Sequence, residues 1–175
     1  MGRTKRVISG VVDGIRIVNL YVPNGSSIGS EKYEYKLGWL EILKNYLQKQ
    51  QKSTPNICVC GDFNIALEDK DIHEKAKPAT HIMSSDVERE ALRENVLKLG
   101  FADAFRKFTL EGEHYSWWDY RAASFNRNRG WRIDHHYLTP DLYERATSCT
   151  IDIEPRKLTQ PSDHTPVTVE LTSNE

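Results

Sequence analysis

The sequence predicts an α/β or α+β fold in which strands and helices alternate along the chain. Between residues 30 and 51, apolar residues recur at steps of three and four, which is the period of an amphipathic helix. Short runs rich in β-branched residues, such as 15–22, lie between turn residues and are typical of strands. The length of 175 residues is that of one domain, which we predict to span residues 1–175.

The first two strands are predicted to form a β-hairpin. Residues 7–12 and 15–22 are apolar runs separated by Asp13 and Gly14, and this dipeptide favours a two-residue turn between antiparallel strands. Turn residues from Pro23 to Ser27 end the second strand.

A long helix and a buried strand are predicted next. The helix, over about residues 30–51, would bury one apolar face. That face contains Tyr33, Leu37, Leu40, Leu43 and Leu47. Residues 56–60 are too short and too apolar for a helix between Pro55 and Gly61, so they predict a buried strand.

The second helix has a start and a stop signal. Ser85 and Glu88 form a capping-box pattern, and Gly100 is placed to end the helix in a left-handed conformation. We expect its apolar face to contain Val87, Ala91, Val96 and Leu99. Three further strands are predicted at residues 131–138, 148–153 and 166–171.

The composition excludes some classes of protein. With 24 Lys and Arg against 25 Asp and Glu, the net charge of −1 excludes a globally basic nucleic-acid-binding protein, so any polyanion site must be a local patch. No apolar run approaches the roughly 18 residues that a membrane helix needs, so we expect no membrane partner. The three cysteines form no metal-binding pattern and favour reduced thiols in a cytoplasmic protein.

Polar clusters follow several of the predicted strands, where sites in α/β folds are commonly found. Asp62 and Asn64 follow the buried strand beside Gly61; in isolation the tetrapeptide 61–64 also fits a simple Asx-turn. The other clusters are Tyr21 with Asn24, Asp134 with His135 and His136, and Asp163 with His164.

Asp134 and His164 form a candidate pair. An acid in the apolar run around Asp134 needs a cation or a histidine partner, and either His164 or the neighbouring Arg132 could provide it. A carboxylate that orients an imidazole prepares it for proton transfer or phosphate contact. The alternative for the Asp163-His164 loop is that it caps a helix or strand and carries a surface histidine.

A local basic patch is present between residues 121 and 132. The segment has four arginines and no acid: Arg121, Arg127, Arg129 and Arg132. Trp117, Trp118, Tyr120 and Trp131 lie before or inside it, so cations for phosphates are interleaved with rings that could stack on bases. The alternative is a basic surface loop over a tryptophan-rich core.

Taken together, these motifs resemble the exonuclease III family of apurinic/apyrimidinic endonucleases, in the endonuclease/exonuclease/phosphatase superfamily. The resemblance runs from about residue 7 to residue 171. Its matching stretches are NLYVPNG (19–25), GDFNIA (61–66), LGFADAFR (99–106), YSWWDYR (115–121), NRGWRIDHHYLT (128–139) and PSDHTPV (161–167).

The resemblance implies a four-layer α/β sandwich, with two β-sheets packed face to face between helices, and Mg²⁺-dependent or Mn²⁺-dependent hydrolysis of DNA phosphodiesters. It implies double-stranded DNA with abasic sites or 3′ ends as partner. It also implies an upstream strand with an asparagine and a Leu-Gln-Glu motif that supplies the main metal ligand. These are not in this sequence, so the implied fold lacks its N-terminal strands, and we expect self-association through exposed sheet edges.

The resemblance also implies roles for individual residues. Asp62 corresponds to the acid that activates water or protonates the leaving group, and Asn64 to the amide that positions it. Tyr21 corresponds to the tyrosine that contacts the phosphate or acts as acid. His164 corresponds to the phosphate-binding histidine held by Asp134. The implied metal ligands are Asp62, Asn64 and Asp163, and the implied sugar pocket is formed by Trp117, Trp131 and Ile133.

Three functions are therefore compared. The leading one is a DNA-repair nuclease that cuts on the 5′ side of abasic sites and trims 3′ ends. In this hypothesis Arg121, Arg127 and Arg129 bind the DNA. The second is a catalytically impaired DNA-binding chain. The third is a relative acting on another phosphodiester or phosphomonoester, which the Trp117 and Trp131 pocket disfavours.

Overall fold

The larger sheet of the protein has five strands in the order β1-β2-β3-β5-β4. The computed structural model describes residues 5–73 and 81–173. β2 and β3 are parallel, and the other neighbours are antiparallel. The strands are β1 (Val7–Val12), β2 (Ile15–Tyr21), β3 (Ile57–Asp62), β4 (Ala102–Asp103) and β5 (Asp134–Leu138).

A second sheet has two antiparallel strands, β6 (Ala146–Ile151) and β7 (Val167–Leu171). The helices are α1 (Glu31–Gln51), α2 (Asp86–Asn95), α3 (Ala104–Phe108) and α4 (Pro140–Arg145). Within the described ranges, no helix is long and apolar enough to cross a lipid bilayer.

The local signals in the sequence explain why the first elements form. Asp13 and Gly14 have φ values of 49° and 76°, as a tight hairpin turn requires, and they join β1 to β2. Ser30 caps α1 by accepting a hydrogen bond from the Tyr33 amide. Ser85 and Glu88 form the predicted capping box of α2.

The two faces of β3 show how the layers pack. Val59, fully buried, faces the helices together with Leu40, Leu43 and Leu47 of α1. On the opposite face, Cys58 packs in a second core. The other members of that core are Ala104, Phe105, Leu138, Leu142, Ala146 and Cys149. Because strand side chains alternate between faces, one short strand connects both cores. The expected α/β architecture, with two facing sheets and flanking helices, is confirmed.

Some details differ from the sequence predictions. The predicted strand over 131–138 begins at Asp134, because the Trp131 backbone pairs with Trp117 instead. On α1, Leu37 is only partly buried, while Lys36 is fully buried. On α2, Val87 is 55% exposed, and the helix turns the polar residues Glu88 and Arg89 inward with Leu92. The helices therefore bury charged side chains that an apolar periodicity cannot indicate.

The strand register brings the predicted site residues together. Tyr21 pairs with Asp62 across β2 and β3, and Asp62 pairs with Asp134 across β3 and β5. Directly opposite residues in neighbouring strands project from the same face of a sheet. The three side chains therefore form one row across the sheet.

Candidate active site

The row of Tyr21, Asp62 and Asp134 is completed by His164, which comes from the loop before β7. The His164 Nδ1 atom lies 2.9 Å from Asp134 Oδ2, and its Nε2 atom lies 4.0 Å from Asp62 Oδ2. We name Asp62, Asp134 and His164 the acid–imidazole cluster. The structure thus gives Asp134 the histidine partner, while Arg132 pairs elsewhere.

Backbone pairing holds the loop that carries His164. The Thr165 amide donates to the Ser116 carbonyl at 2.8 Å, and the Trp118 amide donates to the Asp163 carbonyl at 3.0 Å. Ser116 also fixes Asp134. Its hydroxyl donates to Asp134 Oδ2 at 2.7 Å and accepts the Asp134 amide at 3.0 Å. Sequence analysis missed Ser116, because a single serine before two tryptophans has no distinctive pattern.

The loop after β3 holds Asp62 from the other side. The Asn64 amide donates to Asp62 Oδ1 at 2.8 Å, and its side-chain Nδ2 donates to Asp62 Oδ2 at 2.9 Å. The first of these hydrogen bonds closes the Asx-turn that the isolated tetrapeptide also fits. The turn is therefore part of the candidate site. Gly61 is required here, since a Cβ atom would lie 2.1 Å from the Leu20 carbonyl oxygen.

The electrostatics of the cluster favour proton exchange near neutral pH. Burial, and after it the charge of the nearby Asp134, raise the pKa of Asp62 to about 7 against the opposing effects of His164, the Asn64 amide and Lys36. Burial lowers the pKa of His164, but the hydrogen bond and charge of Asp134, with Asp62 and Asp163, outweigh it and raise that pKa overall. An acid and an imidazole with such shifted pKa values are suited to general acid–base chemistry.

A small apolar core lies beside the cluster. Trp131 and Ile133 are buried in a small core with Ala66, Ile72 and Met83, and Trp117 packs against it. The Trp117 Nε1 atom donates to Asp163 Oδ2 at 2.9 Å, which ties the indole to the His164 loop. The three residues predicted to line a sugar pocket are therefore brought together next to His164.

The basic segment is less uniform than its sequence indicates. Arg132 is buried and pairs with Asp71 and Asp103, and Arg121 pairs with Asp119 at 2.6 Å. Arg127 is exposed and Arg129 is half-buried. In the part of the chain that the structure describes, neither of these two side chains forms an ion pair. The net positive charge of the segment is thus carried mainly by Arg127 and Arg129.

The predicted metal ligands do not assemble a complete cation site. Among residues 5–73 and 81–173, no group of three or more His, Cys, Asp or Glu side chains is arranged to hold a metal ion. Asn64 Oδ1 accepts a hydrogen bond from Asn24, and Asp163 Oδ2 accepts one from Trp117. These residues therefore do not form a ligand cage by themselves.

A known protein family matches most of the chain. Residues 2–164 match the endonuclease/exonuclease/phosphatase family. The chain belongs to this family. The match covers every motif on which the resemblance rested except the end of PSDHTPV, and it confirms that resemblance.

Several known proteins are similar to this chain over most of its length. An exodeoxyribonuclease of Bacillus subtilis is 35% identical over 164 residues, covering 93% of this chain and 62% of its own length. Exodeoxyribonuclease III of Haemophilus influenzae is 33% identical, covering 90% of this chain and 61% of its own length. The chain thus spans about three-fifths of the length of these curated relatives.

Solved family structures superpose closely. The 3′ phosphatase NExo from Neisseria, bound to a product DNA hairpin, has a TM-score of 0.94 and 37% identity, covering 98% of this chain and 66% of its own. An AP endonuclease from Archaeoglobus fulgidus has a TM-score of 0.89 and 40% identity, covering 95% and 65%. The chain therefore has the same fold as these two proteins.

Proposed function

We propose that the protein hydrolyses DNA phosphodiesters on the 5′ side of abasic sites and at 3′ ends. The observation that carries this proposal is the row of Tyr21, Asp62 and Asp134 with His164 against it. Relatives named exodeoxyribonuclease and AP endonuclease support a nuclease, and the DNA hairpin bound to the Neisseria protein supports DNA as the class of substrate.

The proposed reaction is an in-line attack of water on phosphorus. Asp62, in its ionised form, takes a proton from the attacking water, while Asn64 fixes the orientation of the carboxylate through two hydrogen bonds. The new P–O bond forms as the bond from phosphorus to the 3′ oxygen breaks. The leaving oxygen receives a proton from the Tyr21 hydroxyl, which is a role proposed from the family resemblance.

His164 stabilises the charge of the phosphate in this proposal. Asp134 accepts from Nδ1 of the ring, which leaves Nε2 facing Asp62 and the space above the row. The raised pKa of His164 keeps the ring protonated to a higher pH than an ordinary histidine, and a cationic donor lowers the energy of the developing charge.

DNA is proposed to bind along the adjoining surface. Trp117, Trp131 and Ile133 would contact the abasic sugar, and Arg127 and Arg129 would contact phosphates, with Arg121 at the edge of the segment. Mg²⁺ or Mn²⁺ is proposed as cofactor, with Asp62, Asn64 and Asp163 as candidate ligands. Mg²⁺ commonly binds through one or two carboxylates plus substrate phosphates, so we expect weak binding before DNA is present. When bound, the cation would polarise the phosphate.

The experiment is cleavage of an abasic-site duplex with Mg²⁺, with and without a chelator. We expect cutting only with the metal, and a loss of roughly 10²-fold in rate for His164→Ala. Arg145→Ala is the control and should cut at the parent rate, because α4 follows the end of β5 opposite to Asp134. Duplex binding without cutting by the parent would instead favour the alternative of an impaired DNA-binding chain. If the protein cuts other phosphoesters and no abasic DNA, the result would favour a relative that acts on another phosphodiester or phosphomonoester.

Self-association through β1 is also proposed. This edge strand has no partner on its outer side among the described residues, and Val7, Ile8, Val11 and Val12 are all more than 40% exposed. Exposed apolar edge strands promote pairing with a second copy. Sedimentation velocity should show dimers that Ser9→Lys converts to monomers. A parent monomer at all concentrations would contradict this.

A further inference from the structure

A fully buried lysine on α1 contacts both loops that carry the site. Lys36 and Glu88 have side chains that are 0% exposed, and their charged groups are 2.5 Å apart. The Lys36 Nζ atom also donates to the Asn64 carbonyl at 2.8 Å and to the Asn24 carbonyl at 3.2 Å. An ammonium group has three N–H donors, so this set uses all of them.

The two carbonyls belong to different loops. Asn24 lies after β2 in the loop that follows Tyr21, and Asn64 lies after β3 in the loop that follows Asp62. The side chains of the two asparagines also meet, because Asn24 Nδ2 donates to Asn64 Oδ1 at 3.1 Å. Lys36 therefore holds together the ends of two neighbouring strands at the level of the proposed catalytic row.

The backbone at Asn64 needs such an external hold. Its φ of 49° lies in the left-handed region, which costs energy for a residue other than glycine. In this conformation the Asn64 amide and side chain both point at the Asp62 carboxylate. The hydrogen bond from Lys36 to the Asn64 carbonyl fixes the opposite side of the same residue.

Glu88 keeps the ammonium in place. Its Oε1 atom accepts from Lys36 and from the Met83 amide at 3.0 Å, and its Oε2 atom accepts from the Ser85 amide and hydroxyl. The carboxylate is thus saturated by hydrogen bonds and anchored to the first turn of α2. A fixed carboxylate prevents the buried ammonium from changing its orientation.

We propose that Lys36 is a positioning residue for the reaction. It holds Asn64 in the conformation that orients the Asp62 carboxylate, without touching the substrate. This inference rests on the proposed function for its effect on catalysis, but its effect on the loop stands apart from any activity.

The test compares the double variant Lys36→Met/Glu88→Gln with the parent. The double change removes both charges, so that no unpaired buried ion is left to unfold the protein. The matched control is Leu47→Ala, which removes a fully buried side chain of α1 eleven residues further along the helix. At about 1.5 Å per residue, this is roughly 16 Å from Lys36. Its loss of stability serves as the reference for general destabilisation.

Two readouts are measured, namely hydrogen exchange of the Asn64 amide and steady-state cleavage of abasic DNA. For the double variant, we expect faster exchange at Asn64 and a fall in kcat of about 10²-fold with little change in KM, because misplacement of a reacting group by about 1 Å has that effect. Leu47→Ala is measured the same number of degrees below its own melting temperature as the parent is below its own. Its exchange rate at the Asn64 amide and its kcat should equal those of the parent.

Parent-like exchange at Asn64 in the double variant would overturn the inference, and so would a parent-like kcat. If the parent protein cuts no DNA, the proposed function fails while the exchange measurement still decides whether Lys36 holds the loop. If Leu47→Ala changes Asn64 exchange as much as the double variant does, Lys36 contributes only general stability and the inference is wrong.

Discussion

Two groups of buried acids in this protein have opposite electrostatic environments. In the first group, which we name the Arg132 network, Arg132 lies between Asp71 and Asp103, with Arg106 also on Asp71. Burial alone would raise the pKa of Asp71, but the charge and hydrogen bonds of Arg132 lower it to about 2. In the acid–imidazole cluster, burial and the charge of Asp134 raise the pKa of Asp62 to about 7.

The difference comes from the nearest charged partner. Asp71 is bonded directly to two arginines and is ionised throughout the physiological range. Asp62 faces another acid, and the Nε2 atom of its histidine neighbour His164 is 4.0 Å away. A carboxylate that is fixed in one charge state stabilises the fold, whereas a carboxylate close to its midpoint can exchange protons. The comparison therefore separates a structural acid from a candidate catalytic acid.

The largest expected effect is on the Arg132 network. Arg132→Met leaves the buried Asp71 and Asp103 carboxylates without their shared cation, and loss of one partner of a buried pair costs about 3–5 kcal/mol. We expect the free energy of unfolding in urea to fall by this amount. Arg127→Met, at an exposed position, is the control and should change it by less than about 0.5 kcal/mol. If both substitutions lowered the free energy of unfolding equally, the Arg132 network would contribute no more to stability than an exposed arginine.

A smaller loss of stability is expected at low pH. The folded pKa of Asp71 lies below its unfolded value of about 3.9, so its contribution is complete above about pH 4 and is lost as the pH falls toward about 2. The contribution is on the order of 2 kcal/mol. Urea unfolding at pH 6 and pH 3 should show that Asp71→Asn lacks this part of the acid destabilisation. The same pH dependence in parent and variant would contradict the assignment.

The smallest effect concerns DNA binding. Arg127→Ala removes a proposed phosphate contact, so affinity should fall for intact and abasic duplexes alike, and the slope of log K against log salt should decrease by about 1. Fluorescence anisotropy at several salt concentrations measures both. Trp131→Ala should instead reduce the preference for abasic over intact duplex, because its ring is proposed to contact the sugar. An unchanged salt slope for Arg127→Ala would remove this residue from the DNA surface.

Local patterns in the sequence were enough to predict most elements of the fold. The Asp13-Gly14 turn, the Ser30 to Gln51 helix and the Ser85 capping box each depend on neighbouring residues, and each is confirmed. Strand boundaries were less accurate. The start of β5 depends on pairing between Trp131 and Trp117, which are distant in sequence.

Part of the candidate site was also predicted from local sequence patterns. Asp62, Asn64, Asp134 and His164 stand in recognisable motifs, and the structure brings them together. Their supports were missed, because Lys36 contacts Asn24, Asn64 and Glu88, and Ser116 contacts Asp134, across 12 to 52 positions in sequence. A charged residue on a helix is ordinarily interpreted as exposed, so no sequence signal marked Lys36 as buried. The predictions of single-domain extent and cytoplasmic location stay predictions.

We propose that the fold holds the Asp62 carboxylate for catalysis at a cost to its own stability. The folded pKa of Asp62 is above its unfolded value, so the cost of ionising it grows between about pH 4 and about pH 7 and is complete above that range. The most direct test measures abasic-DNA cleavage and urea unfolding of Asp62→Asn at pH 8, on the same preparation. We expect a loss of roughly 10²-fold or more in rate together with a gain in stability on the order of a few kcal/mol. Parent-like cleavage, or a loss of stability like that of Arg132→Met, would contradict it.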